Sequence, residues 1–344
     1  MSELTAVGSY IFCGGFTIGV ERHFKVLAHL ENGPYGVKTF QLNRPKIPVY
    51  LDPKTWPTKN LRGKVDFVYA NPPCALFSAA GASVQKGKDN WRTDPRRSCW
   101  DDCFGLLEKV EPSALAIESV PLAFKRGREM MDAFAERAHK LGYGITHLLE
   151  DARWFGLPQT RKRYMFIAHR YGLPMERINW RPAPTVGEVL GQVTTVGYYT
   201  PVRQDHLKLI RKLRPGEPLR AAWERANPPA TWARGPRGVK GRPRFCHHRI
   251  PADGVMGAYI GDFFIHPTEP RNLSIEEVKA VCGFPEDWKF SHESGAFSEI
   301  ARGVLPPVAD WVARSVAASL QGRKRAAALE AVVVDMRKPE EEQA

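Results

Sequence analysis

The sequence predicts an α/β protein built on a doubly wound, mostly parallel sheet, followed by a smaller irregular region. Three observations lead there. Apolar, strand-like runs alternate with helical patterns through the first half, as a sheet wrapped by helices requires. After about residue 172 the texture changes, and proline, glycine and arginine dominate. A chain of 344 residues, 43% of them hydrophobic, also suffices for one large core and a second, smaller one.

The strand-like runs are, in order, VLAHLE (26–31), VDFVYA (65–70), ALAIESV (114–120), GITHLLE (144–150) and RYMFIAHR (163–170). The second stops abruptly. Pro72 and Pro73 cannot extend a ladder, because proline has no N–H to donate and a fixed φ, so Cys74 is presented by a stiff turn. Met130, Met131, Phe134, Ala138 and Leu141 recur at helical spacing with Gly142 as a stop, which predicts a core-facing helix between two strands. Ser274 and Glu277 have the spacing of a capping box, and Gly283 and Pro285 end the short helix that it opens. PPVADWVARSVAASL (306–320) is the last apolar helix, and the residues beyond it read as an extended helix or frayed charged tail. In open sheets of this class ligands gather beyond the carboxyl ends of the strands, where both Cys74 and Glu118 fall.

Composition excludes several classes. No apolar run approaches the roughly 18 residues that span a bilayer, and the first residues lack the basic start of a signal peptide, so a cytoplasmic protein is expected. The cysteines at 13, 74, 99, 103, 246 and 282 follow no disulfide framework and suit reduced thiols. Cys246, His247 and His248, taken with Cys99 and Cys103, match no standard zinc spacing, and no metal is expected. The formal charge of +13 points to a polyanionic partner. Arginine and lysine crowd residues 85–97 and 234–249, both rich in glycine or proline and interleaved with aromatic residues, as phosphate-contacting loops would be.

Four landmarks follow Cys74 (PPCALFS) in order: Glu118 (ESV), then Gln159, Arg161 and Arg163 (FGLPQTRKR), then GFP at 283–285 and VLPPVA at 304–309. Through this set the chain resembles the DNA cytosine-5 methyltransferase family over nearly its whole length. The dipeptide HP at 266–267, shortly before Arg271, fits the same alignment. The resemblance implies a Rossmann-like, S-adenosyl-L-methionine-dependent catalytic domain with a small target recognition domain. Cys74 is then the nucleophile, Glu118 the acid on the base, and Gln159, Arg161 and Arg163 the Gln-x-Arg-x-Arg element. The chemistry needs such residues, since carbon 5 of cytosine becomes nucleophilic only after a thiolate adds at carbon 6. A carboxyl group that holds a proton at N3 and accepts from the exocyclic amine stabilises the charge that develops. The two arginines, at alternate strand positions, share one side and help to keep Cys74 ionised.

For the cofactor, Phe12, Gly14 and Gly15 match the opening glycine element, whose glycines let the backbone approach S-adenosylmethionine. Tyr10 stands where the family has aspartate, and two residues of the loop are missing. Glu31 lies at the ribose-binding position, Asp52 at the adenine-contacting one, and Pro72 completes the set. Arg302 and Gly303 replace the usual Gly-Asn beside the sulfonium end. Ser78, Lys86, Lys88 and Arg92 begin the segment that corresponds to the family's catalytic loop, while Arg237, Lys240, Arg242 and Arg244 are the expected base or phosphate contacts on double-stranded DNA. The expected boundaries are 1–185 for the catalytic domain, 186–265 for target recognition, 266–322 for the return to the catalytic domain and 323–344 for the tail. A monomer is expected, with any restriction endonuclease a separate protein. Three other readings stay open: a DNA reader that has lost the cofactor, an RNA cytosine-5 methyltransferase, and a transferase of a modified S-adenosylmethionine whose acidic group Arg302 would pair.

Overall fold

A computed structural model describes residues 3–78, 90–173, 182–202, 204–226, 247–261, 264–322 and 331–335. Its strands are β1 (Thr5–Ser9), β2 (Lys25–Leu30), β3 (Val49–Tyr50), β4 (Phe67–Ala70), β5 (Ala114–Ser119), β6 (Gly144–Asp151), β7 (Gln159–Thr160), β8 (Lys162–His169), β9 (His248–Arg249), β10 (Met256–Gly257), β11 (Phe264–Ile265) and β12 (Ala331–Asp335). Eight of them form the main sheet in the order β12-β6-β8-β5-β4-β1-β2-β3. All neighbours are parallel except β8, which runs antiparallel to both β5 and β6. The order reverses beside β1, and the carboxyl ends of β4 and β5 open on one edge.

Side chains alternate across this sheet and bury both faces. Ala6, Phe67, Tyr69, Ala116, Met165 and Ile167 belong to one core. Their sequence neighbours Val7, Val68, Ala70, Ile117, Tyr164 and Phe166 belong to the other. A period of two with both faces apolar is what a doubly wound sheet demands of its strands. The helix Arg97–Val110 and the helix Arg128–Lys140 pack on the second face; the latter buries Met130, Met131, Phe134 and Ala138 as its periodicity predicts, whereas Leu141, expected with them, caps the helix and is exposed. On the first face the helix Gly15–Val20 lies against Pro306–Gly322. That packing depends on Gly15, where an added Cβ would sit 2.2 Å from the Val304 carbonyl oxygen.

Ser274 and Glu277 form the capping box in both directions, and the helix Ile275–Cys282 ends at Gly283 with φ of 71°. Within 186–265 a separate small core of Leu209, Ile210, Leu213, Leu219 and Ala222 closes on Ile265. The reading of residues beyond 322 as helix or tail needs correction at one place: Ala331–Asp335 pairs in parallel with Ile145–Leu149 and extends the sheet. Val332, Val333 and Val334 explain it, since a β-branched run prefers a strand whatever charges flank it.

Candidate active site

Strand β4 ends at Ala70, and Asn71, Pro72 and Pro73 carry the chain into a single 3₁₀ turn, Cys74–Leu76. The turn is fastened from below. Trp100 Nε1 donates to the Pro73 carbonyl at 3.3 Å, and the buried Phe77 ring meets Trp100 edge-on at 5.4 Å. Glu118 lies near the end of the adjacent β5, 2% exposed. Its Oε2 accepts from Asn71 Nδ2 at 2.5 Å, and its Oε1 pairs with Arg163 Nε at 2.9 Å. Cys74, Glu118 and Arg163 thus come together from three neighbouring strand ends, as expected. Asn71 was not among the expected site residues, although its place directly before Pro-Pro-Cys is a signal.

The electrostatics follow from burial. Loss of water raises the Glu118 carboxyl above the usual carboxylate range against the pull of Arg163 and Arg161, which favours its protonated form. Cys74 is also pushed up, chiefly by burial and then by Glu118, while both arginines pull it down. Both arginines thus pull the thiol in the expected direction, and burial outweighs them in the resting site. Beyond Arg163 stands Glu150, its Cα opposite that of Arg163 in the β6–β8 ladder. Burial raises Glu150 to about 8.

Arg161 and Gln159 bind backbone. The Arg161 guanidinium, 1% exposed, donates to the carbonyls of Tyr259 (2.8 Å), Ala301 (2.8 Å) and Gly303 (2.7 Å). Gln159 donates to the Val281 carbonyl at 2.7 Å and accepts from Tyr259 N at 3.1 Å, while β7 pairs with β10. Both side chains tie the returning chain to the sheet. Alternation puts Arg161 and Arg163 on one side, but β10 and the segment around 301–303 cover only the first.

A cavity of about 380 Å³ opens beside this edge, with Phe12, Glu31, Tyr35, Pro73, Glu299 and Arg302 in its wall. Pro73, the residue before Cys74, borders it. The shortened loop closes by left-handed backbone at alternate residues, with φ of 54° at Tyr10, 49° at Phe12 and 92° at Gly14. Two of these are not glycine, a conformation that costs about 1 kcal/mol or more each. Glu31 compensates by accepting from Phe12 N at 2.8 Å and Gly33 N at 2.6 Å. Arg302 is exposed at the rim.

Four of the expected cofactor residues stand elsewhere. A Cβ at Gly14 would meet Phe40 and Trp288, one at Gly15 would meet Val304 and Phe284, and neither glycine is in the cavity wall. Pro72 is buried, and its neighbour Pro73 lines the cavity in its place. Asp52 is exposed, caps its own turn by accepting from Lys54 N at 2.8 Å, and is absent from the cavity wall. Of the expected DNA contacts, Ser78 follows the Cys74 turn, and its N–H donates to the Cys74 carbonyl at 3.1 Å. Arg92 lies 4.6 Å over the Trp91 ring and pairs with Glu129. Lys86, Lys88, Arg237, Lys240, Arg242 and Arg244 lie outside the described residues. Among those described, no group of three or more metal-type ligands occurs and no helix is long and apolar enough to cross a membrane.

Residues 10–318 match the family described as C-5 cytosine-specific DNA methylase. Type II methyltransferase M1.HphI of Haemophilus parahaemolyticus is 25% identical over 326 residues, covering 89% of this chain and 84% of that protein. Type II methyltransferase M.NgoMIV of Neisseria gonorrhoeae is 26% identical over 320 residues, covering 90% and 95%. Among solved structures, the Entamoeba histolytica methyltransferase EhMeth superposes with a TM-score of 0.63 at 14% identity, over 93% of this chain and 99% of that one. The S. pombe Dnmt2 methyltransferase gives 0.57 at 14% identity over the same shares.

Proposed function

The chain belongs to the C-5 cytosine-specific DNA methylases, and from that premise we propose that Cys74, Glu118 and Arg163 carry out cytosine-5 methylation of DNA here. The observation that carries the assignment is their convergence, with Asn71, at one sheet edge beside a ligand-sized cavity. Carbon 5 of a stacked base is out of reach, so the target cytosine enters this edge flipped out of the duplex. The Cys74 thiol gives its proton to water as the base enters, and its sulfur adds to carbon 6. Glu118, whose carboxyl burial raises, shares a proton with N3 and stabilises the ring as electrons move toward carbon 5. Asn71 and Arg163 hold that carboxyl group in place, and Arg163 sets a positive charge beside the base.

S-adenosylmethionine fits the cavity by volume, by the acids that face its cationic groups, and by the position of Pro73 next to Cys74. When bound it supplies an electrophilic methyl group. Once carbon 5 carries the methyl that the ligand would supply, its proton passes to water and the Cys74 sulfur leaves carbon 6. Phe12, Glu31 and Pro73 hold the ligand in this reading. The persistence of the cavity under a shortened loop favours an active enzyme over a reader without cofactor.

The region 186–265, with its own small core and the basic stretch 234–249, is the reader of DNA sequence. A cytoplasmic monomer, with a restriction endonuclease as a separate protein, is the setting that the type II names of the relatives suggest. The mechanism is tested with a duplex carrying 5-fluorocytosine, whose carbon 5 has no proton to lose. A covalent complex that survives denaturation and disappears in Cys74→Ala supports it; no complex with a cognate duplex and S-adenosylmethionine refutes it.

A further inference from the structure

The reaction of Cys74 and Glu118 makes no use of one buried carboxylate in the same cavity. Glu299 is 8% exposed, and both its oxygens are buried. The Thr39 hydroxyl is its hydrogen-bonding neighbour and is shared with Ser291, whose Oγ lies at 3.2 Å and whose N donates to it at 3.0 Å. Glu299 stands on the helix Glu293–Arg302, whose residues Gly295, Ser298, Glu299 and Arg302 share the face toward the cavity. Gly295 has no side chain to cover it, for a Cβ there would lie 3.6 Å from Glu299 Oε1. Across the cavity is Glu31, whose oxygens already accept from Phe12 and Gly33. Each carboxyl is raised by burial, and Glu299 pushes Glu31 further.

Burial outweighs the pull of Thr39, Arg302 and His292 on Glu299, and a carboxylate so poorly supplied with donors is costly to bury, so an arrangement of this kind suits a cation with N–H groups to donate. Tyr10 adds no charge to the wall, which leaves the two acids as its anionic groups opposite Arg302 at the rim. We propose that Glu299 is the seat of the primary ammonium group of the S-adenosyl ligand, so that the amino-acid end of that ligand lies along the helix Glu293–Arg302. This rests on the reading of the cavity as the cofactor site.

The test is calorimetric binding of S-adenosyl-L-homocysteine and of its deaminated analogue to the full chain. Wild type binds the amine-bearing ligand about 10- to 100-fold more tightly. Glu299→Gln loses about that factor for S-adenosylhomocysteine and binds the deaminated analogue within about threefold of wild type. Equal affinity of wild type for the two ligands overturns the assignment and leaves the cofactor reading standing. Equal weakening of both ligands by Glu299→Gln also overturns it. Binding of neither ligand by wild type overturns the cofactor reading itself, and the assignment with it. The comparison of ligands on wild type does not depend on the variant folding.

Discussion

Arg161 and Arg163 look equivalent in sequence, and substituting each by methionine separates them. Arg161→Met keeps the length of the side chain but strands three buried carbonyls, those of Tyr259, Ala301 and Gly303. A buried polar group left without a partner costs about 1–3 kcal/mol, so the loss is about 3–9 kcal/mol before relief. The variant also no longer buries a guanidinium, which burial in the native fold draws down to about 10. That relief places the expected destabilisation near the lower end, about 3 kcal/mol, a large part of the ~5–15 kcal/mol that usually holds a fold. With a urea dependence of about 3 kcal/mol per molar, the unfolding midpoint falls by about 1 M. Arg163→Met costs less stability, because Glu118, already raised by burial, takes up a proton in place of its lost partner. It slows turnover by about 100-fold or more instead. An Arg161→Met enzyme with the wild-type midpoint and no turnover would refute this division of labour and restore Arg161 to the reacting groups.

Three further outcomes are expected. Glu150, raised to about 8 in the fold, is protonated at neutral pH in the native state and ionised in the unfolded one, so its contribution to stability is lost as pH rises from about 5 to 8; Glu150→Gln should gain stability over wild type across that window in urea titrations, and a pH-independent difference would contradict the burial argument. Gly15→Ala places a methyl 2.2 Å from the Val304 carbonyl oxygen and should cost about 1–3 kcal/mol in thermal unfolding, whereas a neutral result would show that the two helices separate freely. Replacing Lys86, Lys88 and Arg92 together by alanine should weaken duplex binding and lessen its salt dependence, and an unchanged salt slope would remove these residues from the phosphate contacts.

Where a residue and its partners are close in sequence, the site is legible from the letters. Pro72 and Pro73 ending a strand announce Cys74, a strand end places Glu118, and Ser274 with Glu277 announces its helix. What the letters hide is convergence over long separations. Alternation assigns Arg161 and Arg163 to one side but says nothing of the segment around 301–303 that covers the first. Glu299 and Glu31, 268 positions apart in the chain, share a cavity that no local pattern could announce. Gly14 and Gly15 match a ligand-approach motif, yet their neighbours are Phe40 and Val304. Strand β1 was missed because TAVGS is short and only weakly β-branched, so its strand character comes from parallel pairing with β2 and β4.

The central claim, cytosine-5 methylation of DNA through Cys74, is tested most directly by mass spectrometry of nucleosides from DNA of cells that express this protein, beside cells that express Cys74→Ala. The account predicts 5-methylcytosine in the first and none in the second. Modified cytosine that persists without Cys74, or a soluble protein that leaves DNA cytosine unmodified, would contradict it.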